Sequence, residues 1–242
     1  HANLHVMVNE NELAGIKVAL NYHSFTGAAL MLNVTRRNLL FDKSKTMVKV
    51  ALSENFRVYG EQKQFFGRKM SDYLSASVYF DAMEYPIYLD EQLSFVYSTN
   101  NLKINAGYTH EFGLNQELRA GITFNRMSFS PIVSAVTRID GNSRNLYASL
   151  KYNFNSTDRR MFPRRGNIGF AEVGVMFNRS HNVHAYKDSS DLYDISDCLS
   201  GAPITRVKFK WNKYYETSEK LTLMHNIQTS VDLNSATDDK LF

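Results

Sequence analysis

The chain has little cysteine, little proline and no long apolar run. Its 242 residues include 1 cysteine, Cys198, so a disulfide within the chain is excluded. Only 4 prolines are present, and the purest apolar stretch, 28–32, is far shorter than the roughly 20 residues of a membrane-spanning helix. A transmembrane helix within this chain is therefore excluded. A membrane β-barrel is not, because its alternating strands average their hydropathy away.

Charge of one sign is not concentrated anywhere along the chain either. The net charge is +4 and the pI is about 9.0, but the lysines and arginines are scattered singly. The sequence contains no basic stripe of the kind that follows a phosphate backbone. We therefore expect no nucleic-acid partner.

Aromatic residues, in contrast, are abundant at 13%, with 16 Phe and 14 Tyr, which favours strands. The dominant pattern has period two, which places alternate side chains on opposite faces of a strand. In segment 144–155, Leu146, Ala148 and Leu150 fall on one face, whereas Ser149 and Lys151 fall on the other. The same alternation predicts about eleven strands, near 13–24, 27–38, 46–54, 56–66, 72–84, 99–111, 116–129, 144–156, 167–179, 204–216 and 220–233.

The lengths of these strands and of their connections indicate a membrane protein. Many predicted strands have nine to thirteen residues, which matches a tilted bilayer crossing and exceeds the usual length in soluble sheets. Short turns at 113–115 and 218–219 alternate with long loops near 85–98, 130–143 and 180–203. We predict an all-β fold, a transmembrane antiparallel β-barrel. A soluble sandwich or lipocalin-like barrel is the alternative, but it would leave many long strands without cover.

The alternation also predicts which charged residues point into the barrel. Basic side chains on the polar face, which we expect to line the lumen, are Lys49, Lys103, Arg119, Lys151, Arg206, Lys208 and Lys210. Such a lumen could interact with anionic lipid, a substrate strand or a lid loop. Ordinary hydration with charge pairing is the simpler interpretation, and we favour it.

No residue set in this segment predicts catalysis. The Gly-x-Ser-x-Gly nucleophile elbow is absent. The one metal-like cluster falls in a long polar loop, where no strand would fix ligand geometry; it comprises His181, His184, Asp188, Asp191 and Cys198. A solvated loop is the favoured interpretation. We predict no catalytic residue, no metal and no cofactor here, and whether the whole protein is an enzyme stays open.

Residues 152–166 carry a turn motif, with Asp158, Phe162, Pro163 and Gly166 at its defining positions. Pro163 fixes φ, Gly166 permits a positive φ, and Asp158 can accept hydrogen bonds from its own turn amides. This stretch, followed by a new alternating strand, resembles a periplasmic turn of the bacterial surface-antigen outer-membrane barrel superfamily. That superfamily includes BamA and TamA, the two-partner secretion transporters and barrels fused to patatin-like phospholipases.

Other segments carry the same resemblance across nearly the whole chain. Residues 112–121 resemble the preceding periplasmic turn, while 22–30 and 35–40 resemble the first hairpin and its following turn, closest to the patatin-like phospholipase barrels of Bacteroidetes. By this resemblance, residues 1–12 would be the end of a POTRA domain or a linker. Residues 13–242 would form strands 1–11 of the barrel. Family barrels have 16 strands with a lid loop after strand eleven. We therefore expect the lid loop and the C-terminal strands to be missing from this chain.

The resemblance implies an integral protein of the bacterial outer membrane that inserts, translocates or anchors polypeptide. Its partners would be membrane lipid and a client polypeptide or an upstream passenger domain. Strand one would be the lateral seam to which a client strand adds, with Gly15, Ile16, Val18, Leu20 and Tyr22 as the seam residues. Two alternatives stay open: the barrel of a patatin-like phospholipase whose catalytic domain lies upstream, and a passive porin.

Overall fold

The computed structural model describes residues 13–23, 27–89, 92–133, 137–159, 161–187, 191–194, 201–218 and 221–234. The expected POTRA end at 1–12 lies outside these residues. Within them there is no helix long and apolar enough to cross a membrane.

All the regular structure in the described residues is β-strand, and the strands form a single antiparallel sheet. They are β1 (Ala14–His23), β2 (Gly27–Arg37), β3 (Ser44–Leu52), β4 (Phe56–Phe66), β5 (Asp72–Leu89), β6 (Gln92–Glu111), β7 (Gln116–Val133), β8 (Thr137–Asn155), β9 (Gly166–Lys187), β10 (Asp191–Asp194), β11 (Ile204–Ser218) and β12 (Leu221–Asn234). The spatial order follows the sequence, except that the short β10 pairs with β9 beside the main path. The sheet is therefore an up-and-down meander.

The eleven predicted strands correspond to β1 to β9, β11 and β12, so the all-β antiparallel prediction is confirmed. The prediction of long loops near 85–98, 130–143 and 180–203 is wrong for much of their length. There β5 and β6 continue as one hairpin as far as Leu89 and Gln92, and β9 continues to Lys187. The alternation weakens in these extensions, but the backbone ladder continues, because its hydrogen bonds do not require an apolar face.

The two faces of the sheet have the opposite polarity to those of a soluble protein. On β5 the apolar Leu74 and Val78 are 50% and 47% exposed, whereas Tyr73, Ser75 and Asp81 on the opposite face are 5%, 5% and 4% exposed. The polar face is therefore the less exposed of the two. An apolar outer face without cover is stable only where lipid replaces water.

Candidate functional site: the polar face and the free edge of the sheet

Cross-strand pairing assembles two rows of charged and aromatic side chains on the polar face. In the first row Lys49 pairs with Tyr59, Tyr59 with Tyr79, and Tyr79 with Lys103. In the second row Arg119 pairs with Lys151, Lys151 with Glu172, and Glu172 with Lys208. Arg206 and Lys210 lie two residues either side of Lys208 on the same face. All seven basic residues singled out by alternation thus share one face, and that this face encloses the lumen stays a prediction.

Three lysines of these rows, Lys49, Lys103 and Lys151, lie over aromatic rings. The Nζ of Lys49 lies 5.6 Å from the centroid of the Tyr59 ring, and that of Lys103 lies 5.8 Å from the Tyr79 ring. Lys151 is closer, at 4.6 Å from the Phe170 ring. A cation over a ring face is attracted by the ring quadrupole but keeps its charge available to an anion. Neither lysine of the first row forms an ion pair within the described residues.

Glu172 is the acid around which the second row is organised. Its Oε1 accepts a hydrogen bond of 2.6 Å from the Tyr147 hydroxyl and lies 3.7 Å from the Nζ of Lys208. Nearby, Arg206 binds Asp232 through both carboxylate oxygens, with distances of 2.7 Å and 2.6 Å. Sequence reasoning listed only the cations of this face and missed these acids. The same alternation that selected the lysines carries the signal for them.

Lys210 borders a cavity of about 640 Å³ at the short-turn end of β7, β8, β9 and β11. The cavity is also lined by Glu117, Asn153, Phe170 and Asn212. Asn153 donates a hydrogen bond of 2.5 Å to Glu117, while Lys210 forms no ion pair within the described residues. The cavity thus combines the Lys210 cation and the Glu117 carboxylate with amide groups, which suits a polar ligand or solvated backbone.

No arrangement in the described ranges suggests a metal site. No group of three or more His, Cys, Asp or Glu side chains there could hold a metal ion. His181 and His184 lie on β9 opposite Ser143 and Asp140, three residues apart, so they fall on opposite faces of the strand and cannot share one ion. Of the other members of that cluster in the sequence, Asp191 is the first residue of β10, and Asp188 and Cys198 lie outside the described residues.

The turn between β8 and β9 is closed by Asp158. Its Oδ1 accepts hydrogen bonds from the amides of Arg164 at 3.0 Å and Arg165 at 3.3 Å. Desolvation raises the pKa of Asp158, but these two amides, the Arg159 charge and the Asp158 amide together outweigh it and hold the pKa below its ordinary value. Phe162 and Gly166 have positive φ angles of 53° and 108°. A Cβ at Gly166 would collide with the carbonyl oxygen of Ser156, so this position requires glycine.

The edge of the sheet at β1 presents a free backbone in the described part of the chain. The Arg37 amide donates to the Leu13 carbonyl at 2.7 Å, which identifies these opposite residues as a hydrogen-bonded pair. Such pairs alternate along an antiparallel ladder, so the residues at odd positions of β1 bond to β2. The backbone groups of Ile16, Val18, Leu20 and Tyr22 therefore point to the free edge.

The seam residues also carry the most exposed part of the apolar face. Ile16, Val18, Leu20 and Tyr22 are 69%, 64%, 83% and 76% exposed. Gly15 adds no side chain, and a Cβ there would meet nothing within 4 Å. The edge thus combines unpaired backbone groups with an apolar outer side and an open inner side, which is the surface that an added strand needs.

A meander with an apolar outer face and a polar inner face is the wall of a transmembrane β-barrel. Among solved structures, the chain is similar to BamA from Haemophilus ducreyi, crystallised without POTRA domains 1–3, with a TM-score of 0.62 and 12% sequence identity. The match covers 93% of this chain but 42% of that one, so the chain spans less than half of the length of its structural relative. No family model and no curated protein matches the sequence. The fold is therefore that of a BamA-like outer-membrane barrel.

Proposed function

We propose that the chain forms the wall of an outer-membrane barrel that accepts polypeptide strands at the free edge of β1. The observation that carries this proposal is the edge itself: four exposed apolar residues whose backbone groups have no partner strand in the described part of the chain. An unpaired edge in lipid is costly, because no water satisfies its amides and carbonyls. A strand that pairs with this edge removes that cost, which is the driving force for client addition.

The outer face of β1 suits such a client for a second reason. A membrane strand has one apolar and one polar face, and β1 already separates Ile16 and Val18 from Lys17 and Asn21. A client strand in register would continue both faces of the wall without burying a charge in lipid. At 12% sequence identity, the structural similarity to BamA supports the fold alone. That the barrel inserts client strands, and does not merely anchor a passenger domain, is therefore part of the proposal.

The test uses proline at the edge. In Val18→Pro the missing amide is one that points to the free edge, so the β1–β2 ladder keeps its hydrogen bonds. We expect the barrel in lipid nanodiscs to lose most of its crosslinking to a synthetic ten-residue strand peptide, in which leucine alternates with threonine around one benzoylphenylalanine. Val18→Ala is the matched control, since it shortens the same side chain but keeps the amide, and it should crosslink almost as well as the parent.

Crosslinking that is equal in the proline and alanine variants would refute addition at β1. Folding is checked separately by the shift in gel mobility that barrels show on heating. A variant that fails this check is replaced by Leu20→Pro and Leu20→Ala, which occupy the same phase of the ladder.

A passive pore is the second candidate, and the free cations of the polar face favour it. It predicts steady ion conductance in planar bilayers with anion preference and no crosslink to the peptide. Conductance that is reduced by the bound peptide supports the first proposal instead. Anchoring of an upstream passenger, including a phospholipase domain, predicts neither behaviour and would show as retention of a fused passenger at the membrane.

A further inference from the structure

Two arginines face each other across β7 and β8 on the apolar side of the sheet. Arg126 is the direct register partner of Arg144, and both are exposed. Direct cross-strand partners hold their Cβ atoms about 5 Å apart, and like charges in this position destabilise a sheet. Within the described residues neither arginine forms an ion pair. The pair therefore lacks the anion that its charge requires.

The surroundings of the pair change from apolar to polar over a single step of the ladder. The row below it is apolar and joins Ile104, Phe124, Leu146 and Phe177 across four strands. The row above it is uncharged and polar, with Asn100 paired to Ser128 and Ser128 paired to Asn142. Arg126 and Arg144 thus lie at the rim of the apolar band, and hydroxyl and amide donors surround them on the side away from it.

A β-bulge on β9, the strand next to β8, lies beside the arginine pair. Between Arg144 and Leu146 the register of β8 against β9 shifts, so that Arg144 pairs with Ser180 and Leu146 with Phe177. Asn178, in the bulge, has a positive φ of 49°. Such a conformation is costly for a side-chain-bearing residue, and bulges commonly redirect side chains next to functional sites. Here the bulge brings Ser180 onto the same face as the two arginines.

We propose that Arg126 and Arg144 form a binding site for the phosphate group of a membrane lipid headgroup. The inference rests on the proposed embedding of the apolar face in a bilayer. Acyl chains would then cover Phe124 and Leu146, while the phosphate lies between the two guanidinium groups. Ser128, Asn142 and Ser180 supply donors for the remaining headgroup oxygens. A lipid phosphate is favoured over a protein partner, because the site continues directly from the lipid-facing band.

The test measures binding of defined lipids to the folded barrel in nanodiscs of digalactosyldiacylglycerol, a neutral lipid that carries no phosphate. The probes are lipid A, which carries phosphate monoesters, and phosphatidylglycerol, which carries a diester. We expect Arg126→Gln and Arg144→Gln each to weaken binding about fivefold, the change that corresponds to about 1 kcal/mol for one cation at a membrane surface. The double variant should lose at least about tenfold. Binding of lipid A alone identifies a monoester site, and binding of both identifies a general phosphate site.

The matched control removes the same net charge from the same face. The double variant Arg36→Gln with Lys213→Gln takes away two outward-facing cations that are not paired with each other. It should bind lipid as the parent does, and an equal loss would refute the proposal by showing a general charge effect. Unchanged binding in the arginine double variant would refute it too.

A second measurement separates binding from folding. Without phosphate-bearing lipid, Arg126→Gln should unfold at the same or a higher temperature than the parent, because it relieves like-charge repulsion. Lipid A should raise the unfolding temperature of the parent more than that of Arg126→Gln. If the barrel fails to enter neutral nanodiscs at all, the proposed membrane embedding fails, and the lipid site fails with it. Absence of lipid binding in an embedded barrel refutes the phosphate site alone. Loss of peptide crosslinking at β1 affects neither result.

Discussion

At the scale of single residues, the β8–β9 turn shows how one carboxylate organises a reversal. Asp158 accepts from two amides that would otherwise be free, and its own amide donates to the Arg165 carbonyl at 3.2 Å. The sequence predicted this role for Asp158 from residue type, because short acidic side chains commonly bond to amides that follow them in a turn. It did not predict that Phe162 adopts a positive φ, since that follows from closure of the whole turn.

The turn gives a pH-dependent prediction with a definite sign. The folded pKa of Asp158 is lower than the ordinary 3.8, so its contribution is complete above that value and is lost as the pH falls through the folded pKa. Hydrogen exchange of the Arg164 and Arg165 amides, normalised to a peptide reference, should be protected at neutral pH and lose protection in acid. Asp158→Ala should exchange several times faster at neutral pH, whereas Asp158→Asn keeps an acceptor and should be intermediate. Identical protection in all three proteins would contradict this role.

At the scale of elements, β8 packs against β9 through the contact of Tyr147 with Gly174. The Tyr147 ring covers Gly174, and a Cβ there would lie 2.5 Å from the ring carbon that bears the hydroxyl. This contact aims the Tyr147 hydroxyl at Glu172, which in turn faces Lys208 on β11. One small residue thus allows an interaction that spans three strands.

Gly174→Ala should therefore displace Tyr147 and destabilise the barrel. We expect a loss of about 1–3 kcal/mol in the free energy of unfolding, the usual cost of overpacking a tight contact. Unfolding by urea in lipid vesicles measures it. Gly60→Ala is the control, because a Cβ there meets nothing within 4 Å, and it should change stability by less than about 1 kcal/mol. Equal effects of the two substitutions would show that the Tyr147 contact is unimportant.

Alternation predicted the elements well, with differences that have a physical origin. The central parts of β5, β8 and β9 alternate because lipid and water lie on opposite sides of them. Their extensions, such as the part of β9 that reaches Lys187, lack a regular alternation of apolar and polar residues, so the sequence predicts loops there. The bulge at Asn178 also escaped prediction, because a bulge is a relation between two strands and leaves no fixed mark on one.

At the scale of the whole molecule, the apolar face is exposed and the polar face is less exposed. This difference leads to a prediction that distinguishes a membrane barrel from a soluble sheet. Val78 and Ser77 are neighbours on β5 and point to opposite faces, with Val78 47% exposed. In lipid, Val78→Arg should cost about 2–4 kcal/mol near the bilayer midplane, whereas Ser77→Arg should cost about 1 kcal/mol or less.

Urea unfolding of both variants in vesicles measures the difference. Ser77→Arg places its charge opposite Glu61, which further limits its cost. A soluble sheet would give the reverse order, since an exposed site tolerates arginine and a sheltered one does not. The reverse order would therefore refute the membrane assignment and the proposals that depend on it.

The sequence by itself determined the strands, the side of each strand on which a residue lies and the Asp158 turn, because each of these depends on spacing within a short segment. Only the tertiary structure decided which residues meet. The ladders bring Arg126 opposite Arg144, Glu172 to Tyr147 and Lys208, and Lys49 to Tyr59. These pairs depend on register, and register is set by turn lengths and bulges that join segments distant in sequence. The order of strands likewise places β1 at one end of the sheet in the described part of the chain, whereas its role as a seam stays a prediction.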